Sequence, residues 1–330
     1  MANDIGKVRP LSSGTVKETD VPDRLGLTCA VTSAKGPRDA MEDAHTIVVP
    51  FAGIRGQGLF GVFDGHGGKE VAKWCSKNFP RCLLNALRED QSGRVVDALE
   101  HAFHDADRQL EQMWAESDGE KDSGSTAVVA FLRLEDEDGG QPFAPSKQPL
   151  AKVLPRAPRT HDGNSAPDPR GAVTPPAGVS RVLYCANVGD ARAVLCRGGK
   201  AVRLTYDHKA SDKKEARRIK DEGGLILEGR VDGNLIPTRA LGDAPYNQYV
   251  ISTPHTAEME IGEEDELVIL ACDGLWDVVE DQEAVDLICG FQDPMEAAHQ
   301  LLNESRRRKT QDNVTVLVAR FRDPPEEKME

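Results

Sequence analysis

The chain has 330 residues, enough to bury a substantial core as one large domain or two ordinary ones. Its 55 acidic residues against 41 basic ones give a net charge of −14, which argues against a nucleic-acid backbone as the main partner. The seven cysteines show no CxxC pair and no regular spacing, which fits reduced thiols inside a cell better than a disulfide scaffold.

The residue pattern of the N-terminal part predicts an arm followed by short strands and helices. Residues 1–22 are polar and aperiodic, so we expect a flexible arm. Three apolar segments then predict strands: GLTCAVTS, TIVVPF and LFGVF. Apolar residues at steps of three and four from Val95 to Met113 predict an amphipathic helix with one buried stripe. TAVVAFLRL, from Thr126, predicts a further strand.

The composition changes over Glu135–Ser180, which holds nine of the 20 prolines and has no apolar periodicity. We expect a disordered insertion here, because such a segment cannot bury enough surface to order itself. It is either a partner-binding feature or a tolerated surface loop, and the sequence leaves both open. The prediction is one domain over 23–322, interrupted by this insertion and followed by an acidic tail over 323–330.

The C-terminal half predicts more strands and helices. RVLYCANVGDARAVLC indicates a hairpin around Gly189-Asp190, and SDKKEARRIKDEGG indicates a helix with Ser211 as N-cap and Gly223 past its end. ELVILAC and NVTVLVARF predict buried strands, while AVDLI and MEAAHQLL predict helices. The basic cluster Arg306–Lys309 is typical of a solvated helix end. Clustered strands and grouped helices favour α+β layers.

Acidic residues recur where the predicted strands begin or end. They are Glu42, Asp43, Asp64, Asp190, Asp273 and Asp312. Each one alone is explained by a turn or a helix N-cap. Their recurrence beside separate apolar strands predicts that they converge on one rim, where they would repel one another unless a cation neutralised them.

The residue types in this pattern favour Mg²⁺ or Mn²⁺. The chain has no HExxH pattern, no Cys/His set at zinc spacing and no EF-hand loop, and all candidate ligands are oxygens. Three or more carboxylates can hold two ions, which activate a bridging water for in-line attack on a phosphoryl group. His66 could then protonate a leaving alkoxide, and Arg38 could hold the phosphate. Taken singly, each is more typical of a packing histidine or a surface arginine.

Eight segments resemble, in order, the motifs of metal-dependent Ser/Thr protein phosphatases of type 2C. They are RDAMEDAH, FGVFDGHGG, SGSTAVVAFL, YCANVGDARAVL, DHKASDKKEARRI, GNLIPTRALGD, ACDGLWDVV and RKTQDNVTVLV. The resemblance runs from about Leu25 to Phe321, apart from the insertion. It implies an α+β fold, a four-layer α-β-β-α sandwich of two antiparallel sheets flanked by helices, with a metal cleft at one end. It also implies hydrolysis of phosphoserine and phosphothreonine in phosphoprotein substrates.

The resemblance further implies a role for each matching residue. The implied metal ligands are Asp64 bridging two Mn²⁺ or Mg²⁺ ions, the Gly65 carbonyl, Asp273, Asp312, and Glu42 and Asp43 through bound waters. A weaker third ion is implied at Asp190, Asp273 and Asp277. Arg38 would bind phosphate and His66 would protonate the leaving group. The flap near 205–250 would bear on substrate or partner choice.

The chain departs from the family pattern in a few places. GDAR stands where the family often has GDSR, TRALGD replaces a common SRALGD, and DAPYN near the flap is unusual. None of these changes removes an implied metal ligand. They leave substrate preference open rather than activity.

Three rival readings remain. The cysteine-phosphatase spacing C-x₅-R occurs at Cys75…Arg81 and Cys82…Arg88, but both stretches lack glycine and look helical. A catalytically silent scaffold or regulator with the same fold is the main alternative. A nuclease is disfavoured by the acidic balance. We expect a monomer that works in the cytoplasm or also in the nucleus, with no signal peptide, membrane span or nucleic-acid partner.

Overall fold

The computed structural model describes residues 12–17, 25–89, 93–117, 123–144 and 172–321. The strands in these ranges are β1 (Ser12–Lys17), β2 (Thr28–Ala34), β3 (Ala44–Val48), β4 (Gly58–His66), β5 (Gly124–Glu135), β6 (Ser180–Val188), β7 (Arg192–Arg197), β8 (Lys200–Arg203), β9 (Ile226–Leu227), β10 (Arg230–Val231), β11 (Leu241–Gly242), β12 (His255–Glu260), β13 (Asp265–Ala271) and β14 (Val314–Arg320). The α-helices are α1 (Glu70–Glu89), α2 (Val95–Glu116), α3 (Lys213–Asp221), α4 (Asp273–Trp276), α5 (Asp281–Ile288) and α6 (Pro294–Arg307).

Two antiparallel sheets pack face to face and form the centre of the molecule. The first sheet has the order β1-β2-β14-β13-β7-β8, and the second has the order β12-β6-β5-β4-β3 with β11 added beside β5. Apolar residues point to both faces of the central strands, as expected for strands covered on both sides. Phe60 and Val62 of β4 meet Val268 and Leu270 of β13 between the sheets. The predicted sandwich is therefore confirmed.

Helices cover the outer face of each sheet and complete the four layers. Phe63 of β4 points away from the other sheet and packs against Phe79 of α1, which in turn contacts Phe103 of α2. Ile269 of β13 does the same toward Leu301 of α6. The stripe predicted from Val95 onward lies buried in α2, as its spacing requires. Among the described residues, no helix has the length and apolar character that a membrane span requires.

The predicted hairpin around Gly189-Asp190 is wrong. β6 pairs with β5 and β12 in the second sheet, whereas β7 pairs with β13 and β8 in the first. The short link between them therefore crosses from one sheet to the other. Both strands are buried on two faces, so their residue pattern carried no information on which neighbours they pair with.

Part of the predicted N-terminal arm forms a strand. Ser12–Lys17 forms an edge strand that pairs with β2 along its full length, from Ser12 opposite Ser33 to Lys17 opposite Thr28. Edge pairing uses main-chain groups and needs little apolar sequence, so the polar composition concealed the strand. The remaining residues of the predicted arm 1–22 lie outside the described residues.

The predicted insertion 135–180 is ordered at both ends. Glu135 is the last residue of β5, and the Gln141 amide donates to the Gln57 side chain at 2.6 Å. Phe143 packs on a small apolar cluster around Leu134. These contacts come from distant parts of the chain, so local composition did not reveal them. The proline-rich centre over 145–171 and the predicted tail over 323–330 lie outside the described residues.

Helix ends follow the sequence closely. The N-cap of α3 is Asp212, one residue after the predicted Ser211, and its carboxylate accepts from the Lys214 and Glu215 amides. Gly223 lies just past the end of this helix with a φ of +91°. The basic cluster Arg306–Lys309 is confirmed as a helix end, since α6 stops at Arg307.

A buried carboxylate on α3 holds this helix against the later residues of the flap. Glu215 accepts from Arg239 at 2.6 and 3.0 Å, from Arg218 at 3.2 Å and from the Thr238 hydroxyl at 3.0 Å. Burial alone would raise the pKa of Glu215, but the hydrogen bonds and charges of the two arginines outweigh it and lower the pKa to about 2. The ionised carboxylate therefore stabilises this packing.

Replacing Glu215 with glutamine should make stability less dependent on pH. Because the pKa falls from 4.5 unfolded to about 2 folded, the wild-type contribution is complete above pH 4.5 and is lost as the pH falls toward 2. We expect Glu215→Gln to lower the free energy of unfolding by about 3 kcal/mol at pH 7. Urea unfolding from pH 7 to pH 3.5 should show the difference in stability between the two proteins becoming smaller at the acid end. A constant difference would contradict this account.

Candidate metal centre

The predicted carboxylates come from the ends of strands in both sheets and meet at one end of the sandwich. Asp64 lies near the end of β4, and Asp43 directly precedes β3, the neighbour of β4. Asp273 follows β13 as the first residue of α4, and Asp312 lies two residues before β14. Asp190 lies in the link that joins the two sheets. The sheet topology therefore brings these acidic residues to one rim.

Burial and mutual repulsion together disfavour the ionised carboxylates of this rim. Burial raises the pKa of Asp64 well above its usual range, and the charges of four neighbours raise it further. These neighbours are Asp273, Asp43, Asp190 and Asp312. Burial likewise raises the pKa of Asp273, and it raises the pKa of Asp43 to about 6. Without a cation these carboxyl groups would take up protons. A bound cation would therefore strongly stabilise their ionised form.

The rim also offers unsatisfied oxygen ligands. Among the described residues, Asp43 Oδ1 and Asp273 Oδ1 are buried and have no hydrogen-bond partner. A buried carboxylate oxygen without a donor is costly, and a divalent cation removes that cost. The surrounding donors are mainly carboxylates, which suits Mg²⁺ or Mn²⁺. The residues present therefore fit the ions that the family resemblance implies.

The tightest triad in the described part of the chain differs from the predicted ligand set. Asp43, Asp64 and Cys272 place one ligand atom each within 4.8 Å of the others. Asp273 and Asp312 do not belong to this group, although their charges act on Asp64. The predicted set is thus assembled around Asp64, but its members are spread more widely than the ligands of a single ion.

The loop that carries Arg38 and Glu42 is held by Asn313, a residue that the sequence did not single out. The Asn313 amide donates to the carbonyls of Lys35 and Ala40 at 2.7 and 2.9 Å, and its oxygen accepts from the Glu42 amide at 2.8 Å. Asn313 directly follows Asp312, so one turn positions both the loop and a predicted ligand. The only sequence signal for Asn313 was its position directly after Asp312 in the segment TQDN.

Arg38 lies against the rim. Its Nη2 donates to Asp312 Oδ2 at 2.5 Å and its Nε donates to the Gln311 carbonyl at 3.1 Å. The side chain is still 55% exposed. A guanidinium held on one side and open on the other can bind a phosphate oxygen next to the carboxylates.

Two of the residues predicted to hold a third metal ion are already paired with a cation of the protein, the ammonium group of Lys209. The Lys209 ammonium lies 3.3 Å from Asp190 Oδ2 and 3.1 Å from Asp277 Oδ1. Burial would lower the pKa of Lys209, but the two carboxylates outweigh it and raise the pKa above its usual range. Lys209 lies in the segment DHKASDKKEARRI, but no local pattern indicated its role. An ion bound here would have to displace this ammonium.

His66 is paired with a second residue that the sequence missed. Its Nε2 lies 2.8 Å from both carboxylate oxygens of Asp243, which is only 4% exposed. Burial would lower the pKa of His66, but the hydrogen bond and charge of Asp243 outweigh it and the pKa is raised. Gly124 makes room for this pair, since a Cβ there would lie 2.3 Å from the Asp243 carboxylate. The signal was present in TRALGD, which ends on Asp243.

Comparison with known proteins now identifies the family. The sequence model of protein phosphatase 2C matches residues 27–136 and 171–314, on both sides of the insertion. The chain belongs to the protein phosphatase 2C family. The match includes every residue to which the sequence analysis assigned a metal or catalytic role.

Relatives of known name agree with this assignment. The chain is 40% identical to protein phosphatase 2C homolog 1 of Saccharomyces cerevisiae, over 85% of this chain and 88% of the relative. It is 38% identical to the homologue of the same name in Schizosaccharomyces pombe, over 85% of this chain and 69% of the relative. A solved phosphatase from Toxoplasma gondii has a TM-score of 0.69 at 24% identity, covering 96% and 97% of the two chains, and thus shares the fold.

The two cysteines with the C-x₅-R spacing are packing residues of this 2C-type fold, as predicted. Cys75 and Cys82 lie on α1 and are buried in the core between the helices and the second sheet. Burial raises the pKa of Cys75 well above its usual range and that of Cys82 to about 12. Both thiols are therefore protonated at neutral pH, which is the wrong state for a nucleophile.

Two glycines allow the backbone segments of the 2C-type rim to touch. A Cβ at Gly65 would lie 2.6 Å from the Glu42 carbonyl oxygen, and one at Gly274 would lie 1.9 Å from the Asn313 carbonyl oxygen. Gly274 follows Asp273, and Asn313 follows Asp312. The close approach at Gly274 therefore fixes two predicted ligands relative to each other.

Replacing Gly274 with alanine should separate these two segments. Because the Cβ would meet backbone rather than a flexible side chain, we expect a loss of about 2–4 kcal/mol in the free energy of unfolding. Gly290→Ala is a suitable control, since a Cβ there has nothing within 4 Å. Urea unfolding of both variants measures the difference. Equal stability of the two variants would show that the approach at Gly274 is not required.

Proposed function

We propose that this chain is a metal-dependent protein phosphatase that hydrolyses phosphoserine and phosphothreonine. The observation that supports it most is the set of repelling carboxylates around Asp64, with buried oxygens that have no hydrogen-bond donor. Arg38 and His66 lie beside this set in positions suited to phosphate binding and proton donation. Membership of the protein phosphatase 2C family makes a phosphoprotein the expected substrate.

The proposed ligands of two Mn²⁺ or Mg²⁺ ions are the oxygens predicted from the sequence. They are Asp64, the Gly65 carbonyl, Asp273 and Asp312, with Glu42 and Asp43 acting through water, and a weak third ion at Asp190, Asp273 and Asp277. When bound, such ions cancel the repulsion of the rim and supply a nucleophile from water at neutral pH. The chain itself therefore needs no nucleophilic side chain.

The chain's own residues then bind the substrate and move one proton. The exposed side of the Arg38 guanidinium binds phosphate oxygens and orients the phosphoryl group over the rim. His66, held in its protonated form by Asp243, donates a proton from its imidazole to the leaving oxygen of serine or threonine. Since an alkoxide is a poor leaving group, this proton is expected to matter greatly for a phosphoprotein.

Phosphate release from a phosphothreonine peptide tests this proposal. Metal-stripped protein should be inactive and should regain activity with Mn²⁺, and alkylation of the exposed thiol of Cys289 should have no effect. Folded protein that releases no phosphate with any divalent ion would instead support the silent scaffold. Metal-independent activity that is lost with Cys75→Ser or Cys82→Ser would support the thiol mechanism.

A further inference from the structure

The carboxylate of Asp107 on α2 binds the backbone beside the general-acid pair formed by His66 and Asp243, and the function proposed above gives it no part. Asp107 Oδ1 accepts from the Gly242 amide at 2.8 Å, and Gly242 directly precedes Asp243. The Ser252 hydroxyl forms a second hydrogen bond to the same carboxylate. Asp243 in turn lies 2.8 Å from His66 Nε2. The residue that holds the imidazole is therefore the immediate neighbour of the residue that Asp107 holds.

The backbone at Asp243 has a conformation that needs support from its surroundings. Asp243 has a φ of +52° and a ψ of +40°, in the left-handed region, and Gly242 before it has a φ of +82°. For a residue with a side chain this region is unfavourable, and it persists where neighbouring contacts hold the backbone. The strand at this point, β11, has only two residues, and the Asp243 amide donates to the Ser123 carbonyl at a long 3.4 Å. The shorter hydrogen bond from the Gly242 amide to Asp107 is thus the better anchor.

The chemistry of Asp107 suits such an anchor. Burial raises the pKa of its carboxyl to about 6, because the hydrogen bonds from the Gly242 amide and Ser252 offset the effect of burial only in part. The group is therefore mostly ionised at pH 7 and makes a charge-assisted hydrogen bond, which is stronger than a neutral one. It is carried by a 22-residue helix whose buried stripe shares one apolar cluster with the second sheet. A well-packed helix thus holds one side of the general-acid pair.

We propose that Asp107 is a positioning residue for proton transfer to the leaving group. From α2 it fixes the Gly242 amide, so the next residue, Asp243, stays in its left-handed conformation. The Asp243 carboxylate then stays against His66 and keeps the imidazole oriented toward the leaving oxygen. The hydrogen bonds of Asp107 go to Gly242 and Ser252 rather than to the rim, so we expect phosphate binding and metal binding to be retained without it.

Two substrates with different leaving groups test the kinetic consequence, which rests on the proposed function. With Mn²⁺ present, we expect Asp107→Ala to lower kcat for a phosphothreonine peptide by about 10–100-fold, because the acid is misplaced. We expect kcat for p-nitrophenyl phosphate to fall by less than about 3-fold, because an aryl oxide leaves without a proton. Asp107→Ser, which is too short to reach the Gly242 amide, should show the same selectivity.

Two further variants distinguish positioning from a general loss of stability. Asp107→Asn keeps an oxygen that accepts from the Gly242 amide, so it should recover most of the lost kcat for the peptide. Ala102→Gly lies in the buried stripe of the same helix and weakens α2 without removing the Asp107 carboxylate. It should lower the unfolding temperature and leave the ratio of the two rates unchanged.

The proton of the imidazole reports on the pair without turnover. In metal-stripped protein, the hydrogen bond between His66 Nε2 and the Asp243 carboxylate should give a downfield proton resonance that is absent from His66→Gln. We expect Asp107→Ala to shift this resonance upfield or to remove it. Asp107→Asn and Ala102→Gly should both retain it.

The outcomes separate the role of Asp107 from the function proposed above. Equal losses on both substrates in Asp107→Ala, no loss on either, or an unchanged imidazole resonance would overturn this role. A wild-type protein that hydrolyses neither substrate with Mn²⁺ would overturn the proposed function. The resonance would still decide, in that inactive protein, whether Asp107 positions the pair.

Discussion

Asp64→Asn should abolish phosphatase activity and at the same time raise the thermal stability of the metal-free protein. Asp64 is partly buried next to the carboxylates of Asp273 and Asp43, so its charge is unfavourable until a cation binds. We expect kcat/KM for a phosphothreonine peptide to fall by roughly 10³-fold or more. A loss of this size corresponds to the several kcal/mol by which bound metal ions stabilise the transition state. We expect the unfolding temperature of metal-stripped protein to rise by roughly 2–5 °C.

The two readouts of this variant must be compared with and without Mn²⁺. In the wild type, Mn²⁺ should raise the unfolding temperature because it binds only the folded rim, and in Asp64→Asn most of this shift should be lost. Asp221→Asn is the matched control, since Asp221 is an exposed carboxylate on α3. A metal-free Asp64→Asn protein less stable than the wild type would contradict the repulsion argument.

Asp243→Asn should slow the hydrolysis of phosphothreonine far more than the hydrolysis of an aryl phosphate. Asp243 touches His66, so its loss removes the charge that keeps the imidazole protonated and oriented. General acid catalysis is worth about 10²–10⁴-fold, and we expect kcat for the phosphothreonine peptide to fall by about 10²–10³-fold. An aryl oxide leaves without a proton, so we expect kcat for p-nitrophenyl phosphate to change by less than about 10-fold.

The leaving-group comparison distinguishes a positioning role from a general loss of structure. His66→Gln should show the same selectivity, and the double variant should be no worse than either single one, because the two residues act as a unit. Asp97→Asn on α2 serves as the control for a partly exposed carboxylate. Equal losses on both substrates would show that Asp243 supports the fold rather than proton transfer to the leaving group.

The sequence was most informative where a residue's environment is local. The apolar runs ending on Asp64 and Asp273 placed both acids at strand ends, and the topology of two facing sheets then brought these ends together. The stripe on α2 was likewise read correctly from its spacing. The local pattern thus predicted these elements and the acids at their ends, because strand ends and helix faces are encoded by neighbouring residues.

The sequence was least informative where a contact joins distant segments. The Asp243–His66 pair spans 177 positions and the Arg38–Asp312 pair spans 274, so no local pattern reports either. The same holds for Lys209, whose partners Asp190 and Asp277 lie in other elements. Asp243 and Lys209 contact residues whose roles were predicted. Their own roles became visible only once the fold had placed them.

We propose that the rim around Asp64 holds two catalytic divalent ions. The most direct test measures bound Mn²⁺ per chain and phosphate release from a phosphothreonine peptide on the same samples, as Mn²⁺ is added to metal-stripped protein. Activity should be absent without metal and should rise as the bound ions approach two per chain. Full activity with no ion bound, or with only one, would contradict the account.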